Sequence, residues 1–150
     1  MIKVDKFASV TAKVKLDPEV AILKDCSPEA GTVVLVRALT ENPFYPDLEL
    51  IDGTFSKIAP GDVIAGALGG RQALRGYVGY APYRLRAGDT LQVLNLGGVI
   101  GRWVGGAKDL GTPVQVEVLG CAARGRKLIN INETALPKVE VLGETKPIIL

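Results

Sequence analysis

This 150-residue chain contains no histidine. That removes the commonest general base near neutral pH, the Ser-His and Cys-His nucleophile pairs, and the usual zinc and copper sites. Soft ligands are scarce as well: there is one methionine, and the two cysteines, Cys26 and Cys121, stand far apart and near no other ligand. A disulfide would need an oxidising compartment, for which no signal argues, so both are expected as buried or half-buried free thiols. No apolar run approaches the roughly 20 residues that cross a bilayer. Met1 to Lys6 alternates charge and hydrophobe without a signal-peptide core, so a cytoplasmic protein with no membrane contact is expected. Aromatic residues make up only 5% of the chain, which leaves few stacking platforms for single-stranded nucleic acid. Helical apolar spacing is missing over any long stretch, so the fold class expected is all-β with at most short helical turns.

What is present is the composition of an ordinary globular domain, 47% hydrophobic and 23% charged, on a chain long enough for one core. The net charge of +2 conceals an asymmetry. Residues 1–69 carry 7 Lys/Arg against 10 Asp/Glu, residues 70–127 carry 9 against 3, and residues 128–150 carry 2 against 3. A basic middle suits an anionic ligand or partner, and equally a solvated surface with its arginines spread over several strands.

Strands are predicted over Phe7–Leu16, with Val10, Ala12, Val14 and Leu16 on one face, and over Thr32–Ala38, which is apolar enough to be buried on both faces. A helical turn could open at Asp17-Pro18-Glu19. Glu41 to Pro46 holds two prolines and is expected to be irregular. Asp52-Gly53 between two alternating runs predicts a two-residue type I′ hairpin. Further strands are predicted at Val63–Leu68, Thr90–Leu94 and Val114–Leu119, with Gly76–Tyr80 a strand or bend and Leu128–Ile131 one more short strand. Most of the 18 glycines fall between Gly66 and Gly111, a pattern of bulges and close backbone approach rather than of a phosphate cradle.

One phrase occurs twice. Ile58-Ala59-Pro60-Gly61-Asp62-Val63-Ile64 is echoed by Leu85-Arg86-Ala87-Gly88-Asp89-Thr90-Leu91, and the two Gly-Asp pairs lie 27 residues apart. Glycine permits positive φ in a tight turn, and the aspartate can hydrogen-bond backbone N–H groups there. Gly61, Asp62, Gly88 and Asp89 are therefore expected as structural turn residues, not as a catalytic pair.

These corners resemble the Gly-Asp boxes of cradle-loop β-barrels, the double-psi, swapped-hairpin and riboflavin-kinase/translation-factor types. The likeness covers roughly residues 32–120, and Gly76-Tyr77-Val78 before the second corner resembles the barrel domain of translational GTPases. It implies a small closed or partly open barrel of about seven or eight strands with an internal pseudo-two-fold repeat. Members of that group bind flavins, nucleotides, RNA or proteins, so the likeness does not choose a function. The barrel domain is expected over residues 1–130. Residues 131–150 read either as a linker leading into a further domain or as a C-terminal strand at the barrel edge. Pro147-Ile148-Ile149-Leu150 resembles the first strand of a P-loop NTPase domain, although no phosphate loop is present.

Three functions fit, in this order. The first is a non-catalytic binding or assembly module that takes a protein partner or a second copy, with Val114–Leu119 and Ile148–Leu150 as the edge strands that would pair. The second is a barrel binding an anionic small molecule through Arg71, Arg75 and Arg102, assisted by N–H groups of Gly69, Gly70, Gly97 and Gly98. The third is an RNA-binding barrel that also uses Arg124, Arg126 and Lys127. No cofactor motif is complete, so none is expected, and catalysis by this chain alone is not expected.

Overall fold

The computed structural model describes residues 1–70, 76–106 and 110–133. It is nearly all β. The chain begins with β1 (Ile2–Lys3) and β2 (Lys6–Phe7), and one short 3-10 helix follows at Ser9–Val14. Next come β3 (Glu19–Val20), β4 (Ile22–Leu23) and β5 (Asp25–Cys26), then the long β6 (Val33–Ala38). A hairpin of β7 (Asp47–Glu49) and β8 (Phe55–Lys57) leads to β9 (Val63–Leu68). The second half contains β10 (Val78–Tyr80), β11 (Leu85–Arg86), β12 (Thr90–Val93) and β13 (Val99–Gly105). It ends with β14 (Gln115–Arg124) and β15 (Lys127–Leu128). No helix among the described residues is long and apolar enough to cross a membrane.

Five strands form a ring. β6 pairs antiparallel with β9, β9 parallel with β13, β13 antiparallel with β12, β12 antiparallel with β14, and β14 antiparallel with β6. The seven or eight strands expected of a barrel wall are not all in the ring: β2, β4, β10 and β15 pair with its strands from outside the circuit, and β1–β3, β5–β11 and β7–β8 form separate two-stranded pairs. Inside the ring, Val34, Val36, Ile64, Leu68, Leu91, Ile100, Val116 and Val118 share one core. Outside it, Val33, Leu35 and Ala65 pack under the N-terminal residues Val4, Val14 and Val20 in a second. β6 is thus buried on both faces, as its run of β-branched residues predicts.

The two Gly-Asp corners carry the same four hydrogen bonds. Asp62 Oδ2 accepts from the Ala59 N–H at 2.8 Å, and Asp89 Oδ2 from the Arg86 N–H at 2.9 Å. The Asp62 N–H donates to Ala59 O and the Asp89 N–H to Arg86 O. The Gly61 N–H donates to Ala38 O while Asp62 O accepts from the Ala38 N–H; Gly88 and Asp89 make the same exchange with Val118. Both glycines are left-handed, φ +95° and +98°. Their apolar flanks Ile58, Ile64, Leu85 and Leu91 all enter the inner core. A Cβ on either glycine would meet nothing within 4 Å, so only the backbone opposes a side chain there. Gly61→Val and Gly88→Val are each expected to cost about 1–3 kcal/mol in denaturant titrations. Equal midpoints for wild type and variants would show that neither corner needs its glycine.

Several local expectations are corrected. Phe7–Leu16 is not a strand: after β2 the Thr11 N–H and Oγ1 both donate to Ala8 O, and the Val10 N–H donates to Gly97 O. This winds the segment into the 3-10 helix and buries Thr11 and Val14, three residues apart. Asp17-Pro18-Glu19 opens no helical turn, because Glu19–Val20 pairs with β1. The Asp52-Gly53 turn is not type I′: only Gly53 has positive φ, and its N–H donates to Leu50 O. It is a type I turn closed by a left-handed glycine. Asp52 selects it by accepting from the Thr54 Oγ1–H and N–H, which also hold the exposed carboxyl below its ordinary pKa.

Val114–Leu119 is no edge either. β14 lies inside the sheet between β6 and β12 and continues past a register shift to pair with β4 and β15. The other proposed edge, Ile148–Leu150, lies outside the described residues. Finally, Cys26 and Cys121 are not separate free thiols. β5 lies over β14 and brings the two sulfur atoms to disulfide distance across 95 residues of sequence.

Candidate functional site

Of the seven residues expected to hold an anion, Arg71 and Arg75 lie outside the described residues. Arg102 is exposed on β13, its Cα opposite that of Tyr80. The Gly69 N–H donates to Ile100 O and the Gly98 N–H to Asn95 O, so the fold itself occupies these two donors. Gly70 is exposed beside the Gly79–Tyr80 backbone, and Gly97 lies beside Ser9. The glycines serve close approach. A Cβ on Gly66 would come within 2.5 Å of Gly98 O, and one on Gly79 within 2.5 Å of Arg102 O.

In the basic tip at β14–β15, Arg124 donates to Val14 O at 3.0 Å, and Lys127 pairs with Glu133 at 3.5 Å. Arg126 is exposed. A concavity of about 540 Å³ opens nearby, lined in part by Glu29, Thr32, Lys127, Asn130 and Glu133. Its polar groups face one another: Thr32 Oγ1 accepts from the Glu29 N–H, and the Asn130 amide spans Ala30 O and the Asn132 N–H. Among the described residues no group of three or more Cys, Asp or Glu side chains could hold a metal ion.

A different constellation is built with more care. Asn42, only 2% exposed, donates through Nδ2 to Tyr77 Oη and to Leu110 O, each at 2.8 Å. The Tyr77 hydroxyl sits 2.9 Å from Leu110 O and from Gly111 O. The Tyr77 ring is fully buried, tilted against Tyr45 and edge-on to Trp103 at centroid distances of 5.9 and 6.1 Å. Through Oδ1, Asn42 accepts from the Phe44 N–H at 2.9 Å and the Tyr45 N–H at 3.3 Å, which is an Asx turn. The polar network thus ties the loop Pro43–Pro46 to Tyr77 and Leu110.

That loop turns Phe44 outward, 69% exposed. Beside it runs a groove of about 360 Å³ between Pro43 and Pro46 on one side and Ile58 and Ala59 on the other. Glu41 and Lys57 also line the groove, and neither has an ion-pair partner among the described residues. Proline content marks this segment only as irregular. An asparagine before Pro-Phe-Tyr-Pro is the sole local signal for the turn, and its partners, buried Tyr77 and half-buried Leu110, lie 35 and 68 residues away.

No family model, no curated protein and no solved structure matches this chain.

Proposed function

We propose that this chain is a non-catalytic assembly module, a small cradle-loop barrel that pairs with a second copy of itself through the Phe44 loop. The barrel reading draws on the closed five-strand ring and the matching corners. Val36 pairs with Val118 and Ala38 with Val116, so a local two-fold axis through Arg37–Glu117 exchanges Ala38 with Val118. These are the residues that the two corners grip. A duplicated half built around this axis accounts for both facts.

The observation that carries the assembly reading is the exposed Phe44 held by a buried amide. Burying an asparagine with all its hydrogen bonds made is costly to arrange, and here it orders an aromatic that leaves the core. Aromatics presented on a rigid backbone are the usual anchors of protein interfaces, because little side-chain entropy remains to be lost. A symmetric interface must carry its own complement. This one does: each groove holds both an acid, Glu41, and a base, Lys57, beside the apolar anchor.

Sedimentation velocity from low to high micromolar concentration tests this reading. A dimer is expected, weakened about tenfold or more by Phe44→Ser without loss of thermal stability. Glu41→Lys and Lys57→Glu should each weaken it, and the double variant should restore it. A chain that stays monomeric throughout, or a dimer indifferent to Phe44, overturns the proposal.

A further inference from the structure

The two corners are matched in backbone but differ in what straps them. At the first, the Ile58 N–H donates to Pro46 O, and the strap continues into β7, pinned by Leu48, which is fully buried in the inner core. At the second, the strap is β5. It meets β11 through the pairs Leu85–Cys26 and Arg86–Asp25, and Lys24 O accepts from the Ala87 N–H. Its ion pairs are exposed, Asp25 with Arg84 at 3.1 Å and with Arg86 at 3.8 Å, and such pairs contribute little. The side chain that β5 sends toward the ring is Cys26, and it meets Cys121, fully buried on β14.

We propose that Cys26 and Cys121 form a reversible redox tie that governs the second corner. β14 is also the strand whose Val118 exchanges both backbone hydrogen bonds with Gly88 and Asp89. One covalent bond therefore joins the strap to the strand that the corner grips. Exposure separates the roles of the two thiols: Cys26 is half-buried at the surface and Cys121 is not exposed at all. A small disulfide of the glutathione type reaches Cys26 first. The Cys26 thiolate attacks one of its sulfurs, giving a mixed disulfide and releasing one thiol. The Cys121 thiolate then attacks the Cys26 sulfur and releases the second thiol. The protein gives up two protons and two electrons, and the small disulfide takes them up as two thiols. A dithiol reverses the sequence. When the tie opens, the strap keeps the short β5–β11 ladder, the Ala87 N–H bond to Lys24 O, its surface ion pairs and the β4–β14 pairing just before it. It loses its one covalent link to the ring, whereas the first corner keeps its Leu48 anchor.

The full chain is equilibrated in glutathione buffers of stepped ratio, blocked with an alkylating agent and weighed intact. The closed form should carry no adduct and the opened form one on each cysteine, with both forms populated across the series. In Cys121→Ser, Cys26 should accumulate as a mixed disulfide with glutathione; in Cys26→Ser, Cys121 of the folded chain should resist alkylation. Amide exchange of the opened form should rise about tenfold or more at Ala87–Asp89 and Val118, with Gly61 and Ala38 unchanged. A closed form that never appears, one that dithiothreitol opens only after unfolding, or equal acceleration at both corners would overturn the proposal.

Discussion

Gly101→Ala is expected to cost about 3 kcal/mol or more, a large fraction of the roughly 5–15 kcal/mol that keeps a domain folded. Gly101 lies in the middle of β13, the strand that closes the ring between β12 and β9. A Cβ there would press on Gly69 O, come within 2.8 Å of Tyr80 O and within 3.0 Å of Leu94 Cδ1. Two of these three atoms are backbone. The Gly69 backbone is tied down by its own N–H donating to Ile100 O, and Tyr80 belongs to β10, which pairs with β13. Neither can rotate aside as a side chain could, so one methyl group must spread the strands. Gly105→Ala is the control, on the same strand with open space where its Cβ would stand. Its effect should stay within about 0.5 kcal/mol. Urea titrations of the pair decide the matter: coincident midpoints would mean that the ring does not rely on this close approach.

Asn42→Ala should cost about 2–3 kcal/mol, because the truncation removes four hydrogen bonds and leaves the fully buried Tyr77 without its amide partner. The Phe44 N–H loses the Asn42 Oδ1 acceptor, and Leu110 O and Tyr77 Oη each lose a donor from the amide. Thermal melting is expected to drop by roughly 5–10 °C, on the scale of 2–4 °C per kcal/mol for a chain of this size. The contrast with Phe44→Ser is what informs. Phe44 projects into solvent, so its loss should leave the melting temperature alone while weakening association. Asn42→Ala should reduce both, since an anchor that is no longer ordered must be ordered on binding. An Asn42→Ala protein that melts with the wild type would show that the network does not hold the loop.

The sequence by itself determined whatever a few consecutive residues decide. In each Gly-Asp corner a left-handed glycine and an aspartate reach an N–H three positions back, so both elements of the turn lie within one phrase. The two-faced burial of β6 was legible for a similar reason, since its apolar run needs no alternation to be read. Glycine as a device for close packing was legible in kind, though not which backbone each one admits. Tertiary structure decided the rest. Nothing local says that Ala38 and Val118 are what the corners grip, that β14 is central rather than an edge, or that five strands suffice to close the ring. Apolar alternation at residues 7–16 suits a strand, yet bonds to Ala8 and Gly97 wind most of it into a helix. The pairing of Cys26 with Cys121 and of Asn42 with Tyr77 spans 95 and 35 residues. Such contacts have no signature in spacing, because their geometry is set by strand order and register, which exist only once the ring has closed.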